Sequence, residues 1–331
     1  MKHLKKTGLI LLICLLGISA KAQKAVKHDK ILGADISWLP QFEAQGKKFY
    51  GDDSVATDAV AILKAHGFNY IRLRIFNNPR ADSGYSKKGY CDLAETMKMA
   101  KRIKAAGMGF LLDFHYSDNW ADPGKQHMPS AWKNTGYSDL QDSVRDFTKK
   151  VLSALKEQNT LPDMVQVGNE INHGMMWPVA NIKHLDTLAG LLKAGINGVK
   201  AVDKKAKIML HIACGGQNTE SRYFLDNMIA RDVKFDIIGE SYYPEWHGTI
   251  DELKSNLTDL ATRYKQDVIV VEYTKKKNEV NDIEFNLPDN KGKGTFIWEP
   301  LNYQEAIFDR SGHQNEYMKV YPKIATKYNI Q

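Results

Sequence analysis

The chain has 331 residues, 43% hydrophobic and 26% charged, with a formal net charge of +7 at pH 7. This is ordinary globular composition, long enough for one large domain or two small ones. Much of the positive charge lies at the extreme N-terminus, and no Lys/Arg tract is interleaved with aromatics, so nucleic acid is excluded as a partner.

Lys2, Lys5 and Lys6 form a positive start, residues 8–18 an apolar stretch too short to span a bilayer, and Ala20-Lys21-Ala22 a small-x-small cleavage site. Residues 1–22 therefore read as a signal peptide and residues 23–331 as one domain. The mature protein would be secreted or periplasmic, with no membrane span. Cys14 follows Ile13, where a lipoprotein would have a small residue. Cleavage removes Lys2, Lys5, Lys6 and Lys21 and no acids, leaving +3. Cys91 and Cys214 remain; neither sits in a C-x-x-C pair, and they read as buried or free thiols.

Short apolar strands then alternate with amphipathic helices. Strand one is 31–37, followed by a helix over 53–66 stopped by Gly67. Strand two, 68–76, alternates with period two, and its helix covers 92–106. Strand three is 109–115. A long loop rich in Asp, Pro, Trp and Gly follows through Trp132; such loops inside compact domains are usually functional. A helix over 139–157 leads to strand four, 163–169, and its helix, 184–202. Strands five and six are 207–213 and 235–241, with a helix over 250–264. Strand seven is 267–272, strand eight 295–298, and a closing helix spans 315–328. Only residues 274–294 separate the last two strands, and Pro288, Asn290, Gly292 and Gly294 interrupt them, so the seventh helix is expected to be shortened or missing. Eight strands in this alternation imply a single-domain α/β (β/α)8 TIM barrel, which typically needs about 250 residues. The doubly wound open sheet is disfavoured because no strand runs into a Gly-rich phosphate loop.

Barrel active sites lie at the C-terminal ends of the strands. Those ends carry Asp35 and Ser37, Arg72 and Arg74, Asp113 and His115, Asn169 and Glu170, His211, Glu240, Ser241 and Tyr242, Glu272, and Trp298 and Glu299. Glu170 and Glu272 end strands four and seven, on opposing sides of an eight-stranded ring. Glycoside hydrolysis needs such a flanking pair, one protonated and one ionised. Arg72 or Arg74 would keep Glu272 ionised; the apolar Met175, Met176 and Trp177 would help raise Glu170. An Asn beside the acid/base, here Asn169, suits a sugar 2-hydroxyl. The six tryptophans (38, 120, 132, 177, 246 and 298) fall mostly in loops after strands, where flat faces suit pyranose rings. His115, His127, His173, His211 and His247 show no ligand spacing, so neither a metal nor another cofactor is expected.

The segments GADIS (33–37), YIRLRIFNNP (70–79), LLDFHYSDNWADPGKQ (111–126), VQVGNEINHGMMWP (165–178), SYYPEWHG (241–248), VVEY (270–273) and FIWEP (296–300) resemble glycoside hydrolase family 53, the endo-β-1,4-galactanases of clan A. The resemblance implies a (β/α)8 barrel and retaining endo-cleavage of β-1,4-galactan, with Glu170 as acid/base and Glu272 as nucleophile. It also implies that Arg72 pairs with the nucleophile, that Tyr242 or Tyr243 hydrogen-bonds it, and that Asn169 holds the 2-hydroxyl. Asp35, Asp113, His115, Asp118, Trp120, His211 and Trp298 would line sugar subsites. The segment between strands seven and eight departs from the pattern: it is short and lysine-rich (Lys275, Lys276, Lys277), and the calcium site of some bacterial members is not expected here. The partner is then a polysaccharide and the protein a monomer. The competing readings are another clan A β-1,4-glycanase acting on mannan, xylan or glucan, and a non-catalytic glycan-binding barrel.

Overall fold

The computed structural model describes residues 29–330; the expected signal segment, 1–22, lies outside the described residues. Eight parallel strands close into a barrel: β1 (Ile31–Asp35), β2 (Tyr70–Ile75), β3 (Gly109–Phe114), β4 (Met164–Val167), β5 (Lys207–Ile212), β6 (Ile237–Tyr242), β7 (Asp267–Tyr273) and β8 (Gly292–Trp298). Each is followed by a helix: α1 (Ala59–Ala65), α2 (Leu93–Ala105), α3 (Tyr137–Glu157), α4 (Leu185–Val202), α5 (Asn218–Ala230), α6 (Ile250–Arg263), α7 (Lys277–Phe285) and α8 (Val320–Lys327). The chain is a (β/α)8 TIM barrel. Among the described residues no helix is long and apolar enough to cross a membrane.

Two apolar layers hold it. The outward faces of the strands pack on the helices through residues such as Leu32, Ile71, Leu112, Val165, Leu210 and Val268. The lower interior is filled by Ile31, Tyr70, Leu111, Met164, Met209, Ile237, Ile269, Val271 and Phe296. Gly33 and Gly109 make room for the largest of these: a Cβ on Gly33 would lie 2.2 Å from the Phe296 ring, and one on Gly109 the same distance from the Tyr70 ring. Truncating Phe296 to alanine would cost about 3–5 kcal/mol, as large-to-small changes in packed cores do. Above this plug the inward positions turn polar every second residue: Tyr70 to Arg72 to Arg74, Leu111 to Asp113 to His115, Met164 to Gln166, Met209 to His211.

The helices differ from expectation where side chains other than aliphatic ones set the boundary. The first helix starts six residues later than its expected limit, because Asp58 caps it by accepting from the Val60 N–H. Residues 53–57 instead form a tight loop closed by a bridge between Ala56 and Tyr50, with the Val55 N–H bonded to Asp53. The seventh helix is not missing but short, nine residues. Its buried face includes Asn281 and Glu284 beside Val280 and Phe285, so a search for apolar periodicity passes over it. Asn281 Oδ1 accepts from Thr295 Oγ1 at 2.8 Å, tying α7 to β8. Of the three lysines at its start, the first helical one does not face solvent. Lys277 is buried and donates to the Thr274 carbonyl at 2.7 Å and to Glu305 at 2.8 Å.

Candidate active site

Arg72 organises the barrel mouth. Its Nη1 donates to Asp35 Oδ2 (3.0 Å) and Glu272 Oε1 (2.7 Å). Nη2 donates to Asp113 Oδ2 (2.9 Å) and Asn169 Oδ1 (3.0 Å), and Nε to Gln166 Oε1 (3.2 Å). One fully buried guanidinium thus joins strands β1, β2, β3, β4 and β7. A buried charge is tolerated only when so compensated, and three carboxylates without it would repel one another. Gln166 continues the net, donating to Asp113 Oδ1 at 2.6 Å.

Glu170 follows Gly168 (φ 91) and is itself left-handed, φ 47 and ψ 54. A non-glycine residue in that region carries local strain, of order 1–3 kcal/mol. Gln126 Nε2 braces the turn by donating to the Asn169 carbonyl at 2.8 Å and the Glu170 carbonyl at 3.2 Å. The Glu170 carboxyl lies 2.7 Å from Ser241 Oγ, which in turn lies 2.7 Å from His211 Nε2. Glu272 comes from a bulge in β7: Glu240 pairs with Val270 but Ser241 with Glu272, so Val271 is an extra residue. Val271 fills the barrel while its neighbour Glu272 lines the cleft. Tyr243 donates from its hydroxyl to Glu272 Oε2 at 2.9 Å.

These surroundings separate the two carboxyls. Burial, then the negative charge of Glu272, push Glu170 well above the ordinary glutamate value. Burial also raises Glu272, but the Arg72 guanidinium and the Tyr243 hydroxyl pull it back. Of the pair, Glu170 is pushed further above the ordinary glutamate value. Two carboxyls set in different surroundings and facing one cleft are the arrangement that acid/base and nucleophilic work on one bond requires.

The cleft has a volume of about 680 Å³. Trp38, Trp120 and Trp298 meet edge to face on one side, with centroids 5.4–6.4 Å apart. Beneath Trp120, 4.2 Å from its ring, lies the Arg74 guanidinium, paired with Glu299 at 2.6 Å. On the other side stand His173, Glu220 and Trp246, the last 62% exposed.

Of the residues expected from sequence, Asp35, Arg72, Asp113, His115, Trp120, Asn169, Glu170, Tyr243, Glu272 and Trp298 converge on this cleft. His115 Nε2 lies 3.1 Å from Asp113, and its Nδ1 accepts from the Ala121 N–H. Several expectations need correcting. Tyr242 does not reach Glu272: strand alternation turns it outward, and its hydroxyl donates to the Gly248 carbonyl at 3.2 Å. Asp118 does not reach the cleft, because both its oxygens are taken by the Asn78 and Ser130 N–H groups of the loop. His211 is fully buried and bonds Asn169 and Ser241 from below rather than lining a subsite. Arg74 pairs with Glu299 and Asp35, leaving Glu272 to Arg72. Nor do Met175, Met176 and Trp177 line the cleft around Glu170. Glu240 faces outward, where Ser221 and the Cys214 N–H bond it. Gln166, Ser241 as the partner of Glu170, and Tyr303 were not singled out; the inward parity of Gln166 on β4 was the available signal. Among the described residues no cluster of three or more His, Cys, Asp or Glu could hold a metal ion.

Residues 31–291 match the model of glycosyl hydrolase family 53. The chain is 47% identical over 250 residues to an uncharacterised protein of Niallia circulans, covering 73% of this chain and 66% of that protein. It is 37% identical over 248 residues to arabinogalactan endo-β-1,4-galactanase A of Emericella nidulans, covering 72% of this chain and 69% of that enzyme. Among solved structures, the family 53 catalytic domain of Ignisphaera aggregans superposes with a TM-score of 0.81 at 33% identity, covering 88% of this chain and 95% of that one.

Proposed function

The chain belongs to glycosyl hydrolase family 53, and from that premise we propose that it is a retaining endo-β-1,4-galactanase in which Glu272 is the nucleophile and Glu170 the acid/base. The observation that carries the assignment of roles is the opposite setting of the two carboxyls, one gripped by Arg72 and Tyr243, the other buried beside a neutral hydroxyl. In the first step a Glu272 oxygen bonds to the anomeric carbon while the glycosidic C–O bond breaks and the leaving oxygen takes the Glu170 proton. In the second, water attacks that carbon, gives its proton to Glu170, and the bond to Glu272 breaks. Asn169 is held for the sugar 2-hydroxyl by Arg72 and by its own donation to the Ala121 carbonyl at 2.8 Å. Trp38, Trp120 and Trp298 offer apolar edges and faces to the glycone rings. The protein is secreted or periplasmic after cleavage following Ala22 and acts as a monomer.

The test is hydrolysis of linear β-1,4-galactan by the mature protein in EDTA, with xylan, mannan and β-1,3-galactan as controls. Rapid loss of viscosity and release of short galacto-oligosaccharides from galactan alone is the expected result. Cleavage of another glycan instead would move the substrate to a different clan A chemistry. Binding without cleavage would favour the non-catalytic barrel.

A further inference from the structure

We propose that Ser241 and His211 are positioning residues that govern the acid proton of Glu170, Ser241 holding a single hydroxyl proton between two acceptors. The inference rests on Glu170 being the acid/base.

The geometry fixes the imidazole tautomer. His211 Nδ1 lies 2.9 Å from Asn169 Oδ1. That atom is an oxygen and not an amide nitrogen, because it accepts from Arg72 Nη2 while Asn169 Nδ2 donates to the Ala121 carbonyl. An N–H on Nδ1 matches it; a lone pair there would face another lone pair. Gln166 Nε2 also lies 2.9 Å from Nδ1, but its two protons have Asp113 Oδ1 at 2.6 Å and the Gly168 carbonyl at 3.3 Å to go to, which leaves the two lone pairs of Asn169 Oδ1 for Arg72 and the Nδ1–H. The proton is therefore on Nδ1, and Nε2 is an acceptor. Burial first, then the positive Arg72, hold the ring well below its ordinary pKa, so it stays neutral.

Ser241 Oγ lies 2.7 Å from this acceptor and 2.7 Å from Glu170 Oε1. When Glu170 is protonated, every atom is matched: the carboxyl donates to Oγ, and Oγ donates to Nε2. When Glu170 is ionised, the hydroxyl proton has two claimants. Turned to Glu170, it leaves Nε2 facing an oxygen lone pair. His211 therefore competes with the carboxylate for the Ser241 proton and favours the acid form. During turnover the hydroxyl rotates toward Glu170 as its proton passes to the leaving oxygen, and back when the attacking water returns one. The Ser241 and His211 protons stay on their own groups throughout; only the Glu170 proton leaves, with the first product, and water replaces it.

The two residues then have opposite effects. In His211→Asn the amide retains a donor toward Asn169 but has no atom in place of Nε2. Ser241 is free to donate to Glu170 throughout, and the basic limb of the kcat/KM profile moves down by about one pH unit. In Ser241→Ala the ionised carboxylate loses the one hydrogen-bond donor that reaches it among the described residues. The basic limb then moves up by a similar amount. Glu170 is also faced by Glu272 of β7, Asp122 of the loop after β3, and Arg72 of β2. Tyr243, after β6, lies close as well, while His211 is faced by Arg72, His115 and His247. Both variants retain all of these, so a shared disturbance would move both limbs the same way.

The experiment is the pH dependence of kcat/KM on galactan for wild type, His211→Asn, Ser241→Ala and Ser241→Thr. It is paired with infrared titration of the protonated Glu170 carbonyl band, assigned with Glu170→Gln, which needs no turnover. Opposed shifts, with Ser241→Thr near wild type, are expected in both readouts. Shifts in one direction, or limbs and bands that stay at the wild-type pH, overturn the proposal. A wild type that does not cleave galactan but shows opposed infrared shifts would reject the substrate and retain this coupling.

Discussion

Replacing Arg72 by lysine is the most informative perturbation of the site. The five hydrogen bonds of Arg72 go to three carboxylates and two amides. A lysine has one nitrogen on a flexible stem and cannot place a fork across Glu272 and Asn169 together. It can reach one or two of the carboxylates, leaving the net short of three or four charge-assisted bonds. Each is worth about 1.5–3 kcal/mol, but relaxation and water entry offset part of this, so a net loss of about 3–5 kcal/mol is expected, the range for breaking a buried charge network. For a domain of this size that lowers Tm by roughly 10 °C. The kinetic consequence is separate. As the proposed nucleophile, Glu272 must be ionised to attack, and weaker contact with a cation raises its pKa. The acidic limb of kcat/KM should therefore move to higher pH by about one unit or more. Denaturant titration and pH–rate profiles of Arg72→Lys measure both. A folded variant whose acidic limb stays at the wild-type position would refute the claim that Arg72 keeps the nucleophile charged.

Glu170→Ala should fold and lose about 10²–10⁴-fold in turnover on galactan, with azide restoring activity on an activated aryl galactoside by forming the β-galactosyl azide; absence of rescue would count against its role as acid/base. Trp246→Ala, at an exposed cleft position, should leave Tm within about 1 °C and raise KM for polymeric galactan several-fold. An unchanged KM would remove Trp246 from the binding surface. Glu240 is pushed up to about 8 by burial. With its folded pKa raised above the unfolded one, its contribution to stability is present in full below about pH 4 and lost as pH rises through about 8. Glu240→Gln should flatten that part of the stability–pH curve, as read by chemical denaturation from pH 5 to 9.

The barrel and the meeting of Glu170 and Glu272 in one cleft were legible because both depend on local pattern. Each strand carries its own apolar run, and Glu170 and Glu272 each end one. What was not legible depends on registration between strands. The choice between Tyr242 and Tyr243 follows from which residues of β6 face inward, and on the neighbouring β7 an extra residue, Val271, sets the place of Glu272. The role of Ser241 requires His211 of β5 and Glu170 after β4 to meet behind the cleft wall, which no single segment encodes. Asp118 was misplaced because a loop aspartate serves equally as a ligand or as a brace for backbone N–H groups. The helix that escaped notice, α5, and the shortened one, α7, bury polar side chains: Ser221 in one, Asn281 and Glu284 in the other.

The most direct test of the central claim is mass spectrometry of the wild-type protein treated with a galactosyl fluoride whose 2-hydroxyl is replaced by fluorine, followed by peptide mapping. Fluorine at that position slows both steps, and the fluoride leaving group needs little acid, so a covalent glycosyl-enzyme accumulates. The account predicts one sugar unit attached to the peptide carrying Glu272, with none after Glu272→Gln. Attachment elsewhere, or no adduct together with release of the inverted anomer from galactan, would contradict it.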